Sequence, residues 1–492
     1  MNAPPDPYLR RLLLLALPAT LFLLALNPWF SPEQHDDVTY FFSAESLAEH
    51  GSFALDGTPV TDWPPVFPAI LAAARSLAGG SPLVAKLVVL LFVCVGVLVI
   101  RRVAATQHFP CPSLIAAITC LLPISLICGA NILSEWPFLT LSLLFILSLQ
   151  RLQHSRTPLW ILGSGILLAI TSLTRFSGVL LGAAIIAQAV TRMRADKRLQ
   201  SALPEILVAC IGAAPWLLWK LRCHLIIAGG DAPPGAYDQP GYYIERFTNF
   251  DIAGLFAAIE STLLSATRAS SQVTDHQLVG TAIVSLLAIA TIAGAALHFK
   301  RFGIQPADWY VLANLALLLG DLMKPERYFL PIAPFLIAYL IVAIRAVADT
   351  FARQRPAQAF AAAIAVWVAL LLALDTHLLF KGNADGSRGG QSMLASPDIE
   401  SFYRAENLEL YRAIRSADRR APSGDPIAAA GFHGKYLLAL AGRSFENYPD
   451  DDLEPTSWLV ERHHEGGGQI QIPSGWRLVE TFGTHRVFQR TP

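Results

Sequence analysis

Long apolar runs separated by short polar segments make up most of the chain. The runs cover residues 12–26, 83–100, 113–130, 138–149, 278–297, 327–344 and 358–374. A helix needs roughly 20 predominantly apolar residues to cross the hydrocarbon core of a bilayer. Because these runs approach or reach that length, the pattern predicts a polytopic, all-α membrane bundle.

Positive charge in the polar segments predicts which helix ends share a side of the membrane, because Lys and Arg in short loops mark the cytoplasmic side. The basic segments are Arg10-Arg11, Arg101-Arg102, Arg151 with Arg156, residues 192–198, Lys300-Arg301 and residues 345–355. If all of them lie inside, about eleven transmembrane helices alternate consistently between the two sides. The long loops 31–82 and 228–276, and everything after residue 380, then lie outside.

Residues 157–191 are the tightest part of this topology. They must form two short spans that turn at Thr174-Arg175, which leaves little length for a full bilayer. We therefore expect a sharp turn there, with Arg175 at the outer surface.

The C-terminal region is polar and mixed in composition, unlike the bundle. Its predicted elements are strands at 426–430 and 457–460, a helix at 435–441, and a hairpin of 476–481 with 484–489 around Gly483. The sequence thus predicts a transmembrane catalytic domain over residues 1–380 and a small extracytoplasmic α/β domain over residues 381–492.

Composition supports a membrane protein and argues against nucleic acid as a partner. Hydrophobic residues make up 53% of the chain and charged residues only 15%, whereas average soluble chains carry roughly a quarter charged residues. The formal net charge is zero and no basic stripe is present. The six cysteines all precede residue 224 without a CxxC spacing, so they are interpreted as small apolar residues and the C-terminal region holds no disulfide framework.

Two adjacent carboxylates, Asp36 and Asp37, stand in the first long outer loop. Apolar residues from Val38 to Leu47 recur with helical spacing, so a helix is predicted to begin near Asp37. An Asp at a helix start can cap free backbone N–H groups and meet the positive end of the helix dipole. Since only one of the two can occupy the cap position, the other is either solvated or available for chemistry.

Three further ionisable residues, Glu135, Arg175 and Arg327, fall on the same predicted face. Each has an ordinary explanation: Ser134 with Glu135 would start a helix, and either arginine could extend its charge to the membrane interface. Ionisable residues at membrane level are nevertheless costly and are usually functional. The convergence of separate loops on one face therefore favours a site.

The second long loop contributes the neighbouring aromatic residues Tyr242 and Tyr243. Their rings could stack on a sugar or pack as a lid on the bundle. The sequence does not separate these two alternatives.

The motifs around these residues, taken in order, resemble those of the GT-C superfamily. These are polyprenyl-phosphate-sugar-dependent glycosyltransferases, including bacterial protein mannosyltransferases and the lipid A aminoarabinose transferase. The resemblance extends to about residue 345. The motifs are Asp-Asp-x-x-Tyr at 36–40, Trp-Pro-Pro at 63–65, Ser-Glu at 134–135, Thr-Arg-x-x-Gly at 174–178 and Arg-Tyr-x-x-Pro-x-x-Pro at 327–334.

The resemblance assigns the acidic residues to catalysis. Asp36 matches the catalytic acid of the family, Asp37 matches the Glu that typically follows it, and Glu135 matches the second acidic position. The residue after the catalytic acid is Asp in this chain, so its reach is shorter than that of the usual Glu.

The resemblance also implies a binding site for the donor. Arg175 and Arg327 fall where family members place basic residues near the lipid phosphate, and Tyr40, Trp63, Tyr242 and Tyr243 are expected in the substrate-binding loops. The aminoarabinose-transferase branch carries Lys where this chain has Trp63, so that branch's phosphate contact is missing here.

The implied activity is an inverting transfer of a sugar from a polyprenyl-phosphate donor to a hydroxyl group of a glycan, lipid or protein acceptor. We expect it on the outer face of a bacterial inner (plasma) membrane. Asp36 would act as base, Arg327 and then Arg175 would hold the departing phosphate, and Asp37 or Glu135 would orient the acceptor or a divalent ion. Relatives that transfer single sugars generally use no metal, so no cofactor is expected.

Two other kinds of protein share the coarse pattern. A transporter or flippase of a lipid-linked substrate needs ionisable groups near mid-membrane and a path to both sides, whereas the acids here cluster at one predicted face. A membrane scaffold that presents the C-terminal domain would need none of these acids. The clustering therefore favours the enzyme.

Overall fold

The computed structural model describes twelve segments of the chain. They are residues 20–26, 35–55, 58–230, 277–320, 326–351, 355–380, 405–422, 427–430, 445–448, 458–462, 475–482 and 485–490. The predicted substrate-loop residues Tyr242 and Tyr243, and the helix predicted at 435–441, lie outside them.

Helices dominate the described part of the chain. In addition to a helical segment at residues 20–25, they are α1 (His35–His50), α2 (Val66–Ala78), α3 (Pro82–Thr106), α4 (Pro112–Cys120), α5 (Pro123–Ala130), α6 (Glu135–His154), α7 (Pro158–Ser172), α8 (Leu181–Asp196), α9 (Leu203–Gly229), α10 (Gln277–Phe302), α11 (Pro306–Gly320), α12 (Ala333–Phe351), α13 (Pro356–Phe380) and α14 (Ala405–Arg420). Short 3-10 turns cover Phe176–Leu180, Leu199–Ala202 and Glu326–Phe329.

Several of these helices can cross a membrane. Among the described residues, 5 spans are long and apolar enough, or up to 6 if a bent pair is one span. The spans are Pro82–Thr106, Phe176–Asp196, Leu199–Gly229, Ala333–Phe351 and Pro356–Thr376, with α4 and α5 as the bent pair. The chain is thus an integral membrane protein with a mostly helical bundle, while the total of about eleven spans stays a prediction.

The apolar run at 113–130 does not form the continuous helix that its composition predicts. α4 and α5 meet at 65°, because Pro123 lacks a backbone N–H and its ring would clash with the preceding turn. The indole Nε1 of Trp136 donates to the carbonyl oxygen of Ser125 over 3.0 Å, just after the break. This bond ties the start of α6 to α5.

Helix α6 carries Glu135 at its first position and packs closely along α3. The approach requires Gly96, since a Cβ atom there would lie 2.6 Å from Thr140 Oγ1. The Thr140 hydroxyl then donates to the carbonyl oxygen of Phe92 over 2.9 Å. Close contact between these two helices therefore fixes the start of α6 within the core.

Helix α1 begins at His35, two residues before the predicted start, and lies against α2. Tyr40 meets Phe67 edge to face, with ring centroids 4.9 Å apart. Val38, Tyr40 and Phe41 are all buried in the main hydrophobic core. This packing sets the orientation of the first turn of α1, which holds Asp36 and Asp37.

The C-terminal part contains a mixed five-stranded sheet with helix α14 against it. The sheet order is β4-β3-β5-β7-β6, where the strands are β3 (Ile427–Ala430), β4 (Phe445–Tyr448), β5 (Trp458–Arg462), β6 (Trp476–Phe482) and β7 (His485–Arg490). β3 pairs in parallel with β4 and β5, whereas β7 pairs antiparallel with β5 and β6. The predicted strands and hairpin are confirmed, and the domain bounds stay a prediction. A further two-stranded pair, β1 (Ala54–Leu55) with β2 (Thr58–Pro59), follows α1.

Candidate active site

An ion pair joins the first turn of α1 to the turn that precedes α12. Arg327 Nη2 lies 2.7 Å from Asp36 Oδ2. Both side chains keep part of their surface accessible, with 19% of Arg327 and 14% of Asp36 exposed. The predicted base and the first predicted phosphate ligand are thus direct neighbours at an accessible position.

Glu135 lies behind this pair and contacts both arginines. Its Oε1 atom is 2.7 Å from Arg175 Nη1 and 3.5 Å from Arg327 Nε. The Glu135 side chain is fully buried, so water cannot compensate its charge. Glu135 therefore serves as a buried anchor that holds the two guanidinium groups side by side.

The turn that carries Arg175 depends on Gly178 in the Thr-Arg-x-x-Gly motif. A Cβ atom at Gly178 would lie 2.6 Å from the Ser172 backbone, so only glycine allows the chain to close there. Gly178 N–H donates to the carbonyl oxygen of Arg175 over 2.9 Å, and Val66 N–H donates to that of Leu173 over 3.0 Å. These bonds confirm the sharp turn expected near Thr174-Arg175 and attach it to the start of α2.

Ser134 precedes α6 but does not cap it. Its hydroxyl oxygen instead accepts a hydrogen bond from Arg175 Nη1 over 2.9 Å and lies 3.0 Å from the Tyr40 hydroxyl. The prediction that Ser134 only caps the start of a helix is therefore wrong. Ser134 links α1 to Arg175 within the buried cluster.

Tyr328 provides an aromatic ring for both arginines. The guanidinium carbon of Arg175 lies 5.1 Å from the ring centroid and that of Arg327 lies 5.6 Å from it. Attraction between a cation and an aromatic ring restrains such groups without neutralising their charge. The ring therefore keeps the two cations oriented while leaving hydrogen-bond donors for a ligand.

The electrostatics of the cluster favour charged arginines. Burial opposes the charged form of Arg327, but Glu135 and Asp36 outweigh it and raise its pKa. Burial likewise opposes the charge of Arg175, and Glu135 raises its pKa overall. Burial, followed by the negative charge of Asp36, raises the pKa of Tyr40, so this phenol stays neutral and serves as a hydrogen-bonding group.

Asp37 has surroundings quite different from those of Asp36. It is fully buried, and burial raises its pKa to about 7, against the attraction of Lys86. Lys86 lies in the second turn of α3 and is also fully buried. Neither side chain has the accessible surface that contact with an acceptor would require, so the two Asp residues have separate structural roles.

The structure brings the predicted residues Asp36, Glu135, Arg175 and Arg327 into one connected cluster, with Tyr40 joined to it through Ser134. Trp63 packs both against the main hydrophobic core and against a smaller apolar group, which consists of Phe53, Val60, Trp219 and Cys223. Asp37 is the sequence neighbour of Asp36, and the charge of Arg327 also acts on it.

Sequence reasoning missed Lys86 and Tyr328. The signal for Lys86 was present, because a single Lys at the edge of an otherwise apolar run is costly unless it has a partner. Tyr328 stood inside a recognised motif, but its position between two arginines depends on the tertiary fold.

Within the described residues, no group of three or more His, Cys, Asp or Glu side chains is placed to hold a metal ion. Arg327 contacts Asp36 Oδ2, and both arginines contact Glu135 Oε1. The expectation that no cofactor is required stays a prediction.

Part of the chain is similar to a known protein family. The family model of the dolichyl-phosphate-mannose-protein mannosyltransferases matches residues 62–219. A search of the curated proteins gives no match. The match to the family model confirms, over residues 62–219, the resemblance inferred from the motifs.

Solved structures with the same fold include ArnT from Cupriavidus metallidurans. Its crystal structure bound to undecaprenyl phosphate is similar at a TM-score of 0.58 and 12% identity, covering 98% of each chain. Its apo crystal structure is similar at a TM-score of 0.54 and 13% identity, covering 97% of each chain. The similarity in fold therefore spans nearly the whole length of both chains.

Proposed function

We propose that this protein is an inverting membrane glycosyltransferase. It moves a sugar from a polyprenyl-phosphate donor to a hydroxyl group of an acceptor on the extracytoplasmic face of a bacterial inner membrane. The observation that carries the proposal is the contact of Asp36 with Arg327, which places a candidate base beside a candidate phosphate ligand.

The class of donor is inferred from the cluster and its relatives. Two fixed guanidinium groups suit a phosphate, since arginine forms paired, charge-assisted hydrogen bonds to its oxygens. The matching family model concerns mannosyl transfer from dolichyl phosphate, and ArnT binds undecaprenyl phosphate. A phosphate on a long isoprenoid chain is the ligand that these observations have in common.

In the proposed reaction, the acceptor hydroxyl oxygen attacks the anomeric carbon as the Asp36 carboxylate takes its proton. The bond between that carbon and the phosphate oxygen breaks, and its electron pair leaves with the polyprenyl phosphate. Arg327 and Arg175 stabilise the charge that gathers on the leaving phosphate. A single displacement of this kind inverts the configuration at the anomeric carbon.

The ion pair links donor binding to the base. Before the donor binds, Asp36 and Glu135 compensate the charge of Arg327. A phosphate that contacts Arg327 competes with Asp36 for the same N–H donors, and its arrival releases the carboxylate toward the acceptor. Glu135 is a positioning residue in this scheme, as is Asp37 with Lys86.

The experiment is a transfer assay in membrane vesicles with a radiolabelled polyprenyl-phosphate sugar and endogenous acceptors. We expect wild-type protein to form a product whose anomeric configuration, read by NMR, is opposite to that of the donor. Retained configuration, or full transfer by a well-folded Asp36→Asn variant, would refute the mechanism. Asp349→Asn, which changes an exposed carboxylate at the far end of α12, is the matched control.

A further inference from the structure

A basic cavity lies at the opposite end of α6 from the Asp36–Arg327 pair. Its volume is about 530 Å³, and the basic residue types in its lining are Arg102, Arg151, His108 and His154. Glu135 opens α6 and His154 closes it, and a helix of this length extends for about 30 Å. The cavity is therefore separate from the proposed active site.

The lining has the chemistry of an anion site. Besides the two arginines and two histidines, the described residues that line it include three glutamines and no Asp or Glu. The nearest acid on α11 is Asp308, which is buried and accepts hydrogen bonds from Tyr339 and from the backbone N–H of Gln305. The Asp308 carboxylate is thus hydrogen-bonded to groups other than the cavity arginines. The side chains of Arg102 and Arg151 are exposed.

A stripe of apolar side chains on α3 leads to this cavity. Leu87, Leu91, Val95 and Leu98 are all exposed, at 38–63% of their surface. Their spacing of four, four and three residues keeps them on one face of the helix, and Arg102 follows four residues later on that same face. An acyl chain that lies along the stripe would bring its headgroup to Arg102.

A second exposed apolar face starts at the cavity on α11. Gln305 and Pro306 line the cavity, and Trp309 and Leu312 follow with exposures of 44% and 39%. Trp is enriched where membrane and water meet. The cavity therefore sits at headgroup depth, at the end of the bundle where the basic segments gather.

We propose that this cavity binds the phosphate headgroup of an anionic phospholipid, whose acyl chains lie on the exposed apolar faces of α3 and α11. Basic pockets between transmembrane helices on the cytoplasmic side have this specificity. The apolar faces distinguish the ligand from a free phosphate ion, which would use the cavity alone. The site is independent of the glycosyl-transfer chemistry.

The test uses the full chain purified in detergent and titrated with phosphatidylglycerol or phosphatidylcholine, with bound lipid counted by native mass spectrometry. We expect one tightly held phosphatidylglycerol and no equivalent phosphatidylcholine. The double variant Arg102→Gln with Arg151→Gln should bind phosphatidylglycerol roughly 30-fold more weakly, from the attraction that each basic residue contributes to an anionic lipid.

The matched control is Arg101→Gln with Arg301→Gln. It removes the same charge from the same end of the bundle without changing the cavity lining, because Arg101 donates to Ser113 and Arg301 lies over Phe302. Equal losses in both double variants would show a general charge effect and overturn the proposal. Phosphatidylcholine bound as tightly, or phosphatidylglycerol displaced completely by low-millimolar inorganic phosphate, would overturn it as well.

Discussion

Arg327 donates to Asp36 over 2.7 Å and connects the turn before α12 to the first turn of α1. The same guanidinium group reaches Glu135 through its Nε atom. The arginine is therefore oriented by one accessible and one buried carboxylate before any ligand binds. Because Asp36 is accessible and Glu135 is buried, we expect substitutions of the residues in this cluster to have different effects.

Replacement of Asp36 by Asn should separate donor binding from transfer. The amide keeps the shape but cannot take the acceptor proton, so transfer should fall by about 10²–10⁴-fold. Donor affinity should stay equal or rise, because Arg327 loses a competing carboxylate. The measurement is transfer rate together with equilibrium binding of a polyprenyl phosphate. A parallel loss of both would show that Asp36 holds the donor and is not the base.

Arg327→Gln should reduce transfer by about 10²–10³-fold, the range for loss of a group that stabilises charge in the transition state. Arg327→Lys should recover only part of this loss, since an ammonium group cannot reproduce the planar pair of hydrogen bonds. Steady-state kinetics on purified protein tests both variants, with Arg345→Lys as an exposed control. Full activity of the Lys variant would indicate that charge alone matters at this position.

Tyr328 should act through its ring and not through its hydroxyl. Tyr328→Phe keeps the face that both arginines contact, so its transfer rate should match wild type. Tyr328→Leu removes a cation–π attraction of about 0.5–2 kcal/mol for each arginine, and the affinity for polyprenyl phosphate should fall. If Phe and Leu variants lose affinity equally, the hydroxyl is the group that matters.

The buried partners Asp37 and Lys86 should be coupled in stability. The attraction of Lys86 opposes the raised pKa of Asp37. At a pH high enough to ionise Asp37, Lys86→Met therefore leaves a buried carboxylate without its compensating charge, a change that typically costs about 3–5 kcal/mol. The double variant Lys86→Met with Asp37→Leu should recover much of this stability. Thermal unfolding in detergent of the two single variants and the double variant gives the coupling energy, and simple additivity of the two losses would refute the pairing.

Asp37 should also make stability depend on pH. Burial raises its pKa from 3.8 to about 7, so between these values the folded state retains a proton that the unfolded state has lost. The stability contributed by this group therefore falls as pH rises from about 4 to 7 and changes little below that window. The difference in unfolding temperature between wild type and Asp37→Asn, followed across this range, checks the sign. A difference that stays constant with pH would contradict the raised pKa.

The sequence predicted the members of the cluster better than their contacts. Charge patterning placed Asp36, Glu135, Arg175 and Arg327 on one face, because loop sidedness follows from local composition. Which carboxylate pairs with which arginine depends on how α1, α6 and α12 pack. The packing depends on residues far apart in the sequence, as the close contact of Gly96 in α3 with Thr140 in α6 shows.

Secondary-structure elements were likewise predicted where the signal lies within one short stretch of sequence. The hairpin of β6 and β7 was predicted within a residue at each end, since alternation and a turn lie in one short stretch. Helix α14 was not predicted, although Leu410, Ala413, Ile414 and Ala417 are buried at helical spacing. The bend at Pro123 was missed because the prediction used only the apolar composition of the run and did not consider that proline interrupts a helix.

Lys86 also has a consequence for how the protein is made. A cation within the apolar part of a span raises the cost of moving that helix from the translocon into lipid. Asp37 lies in α1, which is synthesised before α3, so this carboxyl group is already present when α3 emerges from the ribosome. Insertion of α3 should therefore depend on α1, so that the first loop acts as a folding partner of the span that follows it.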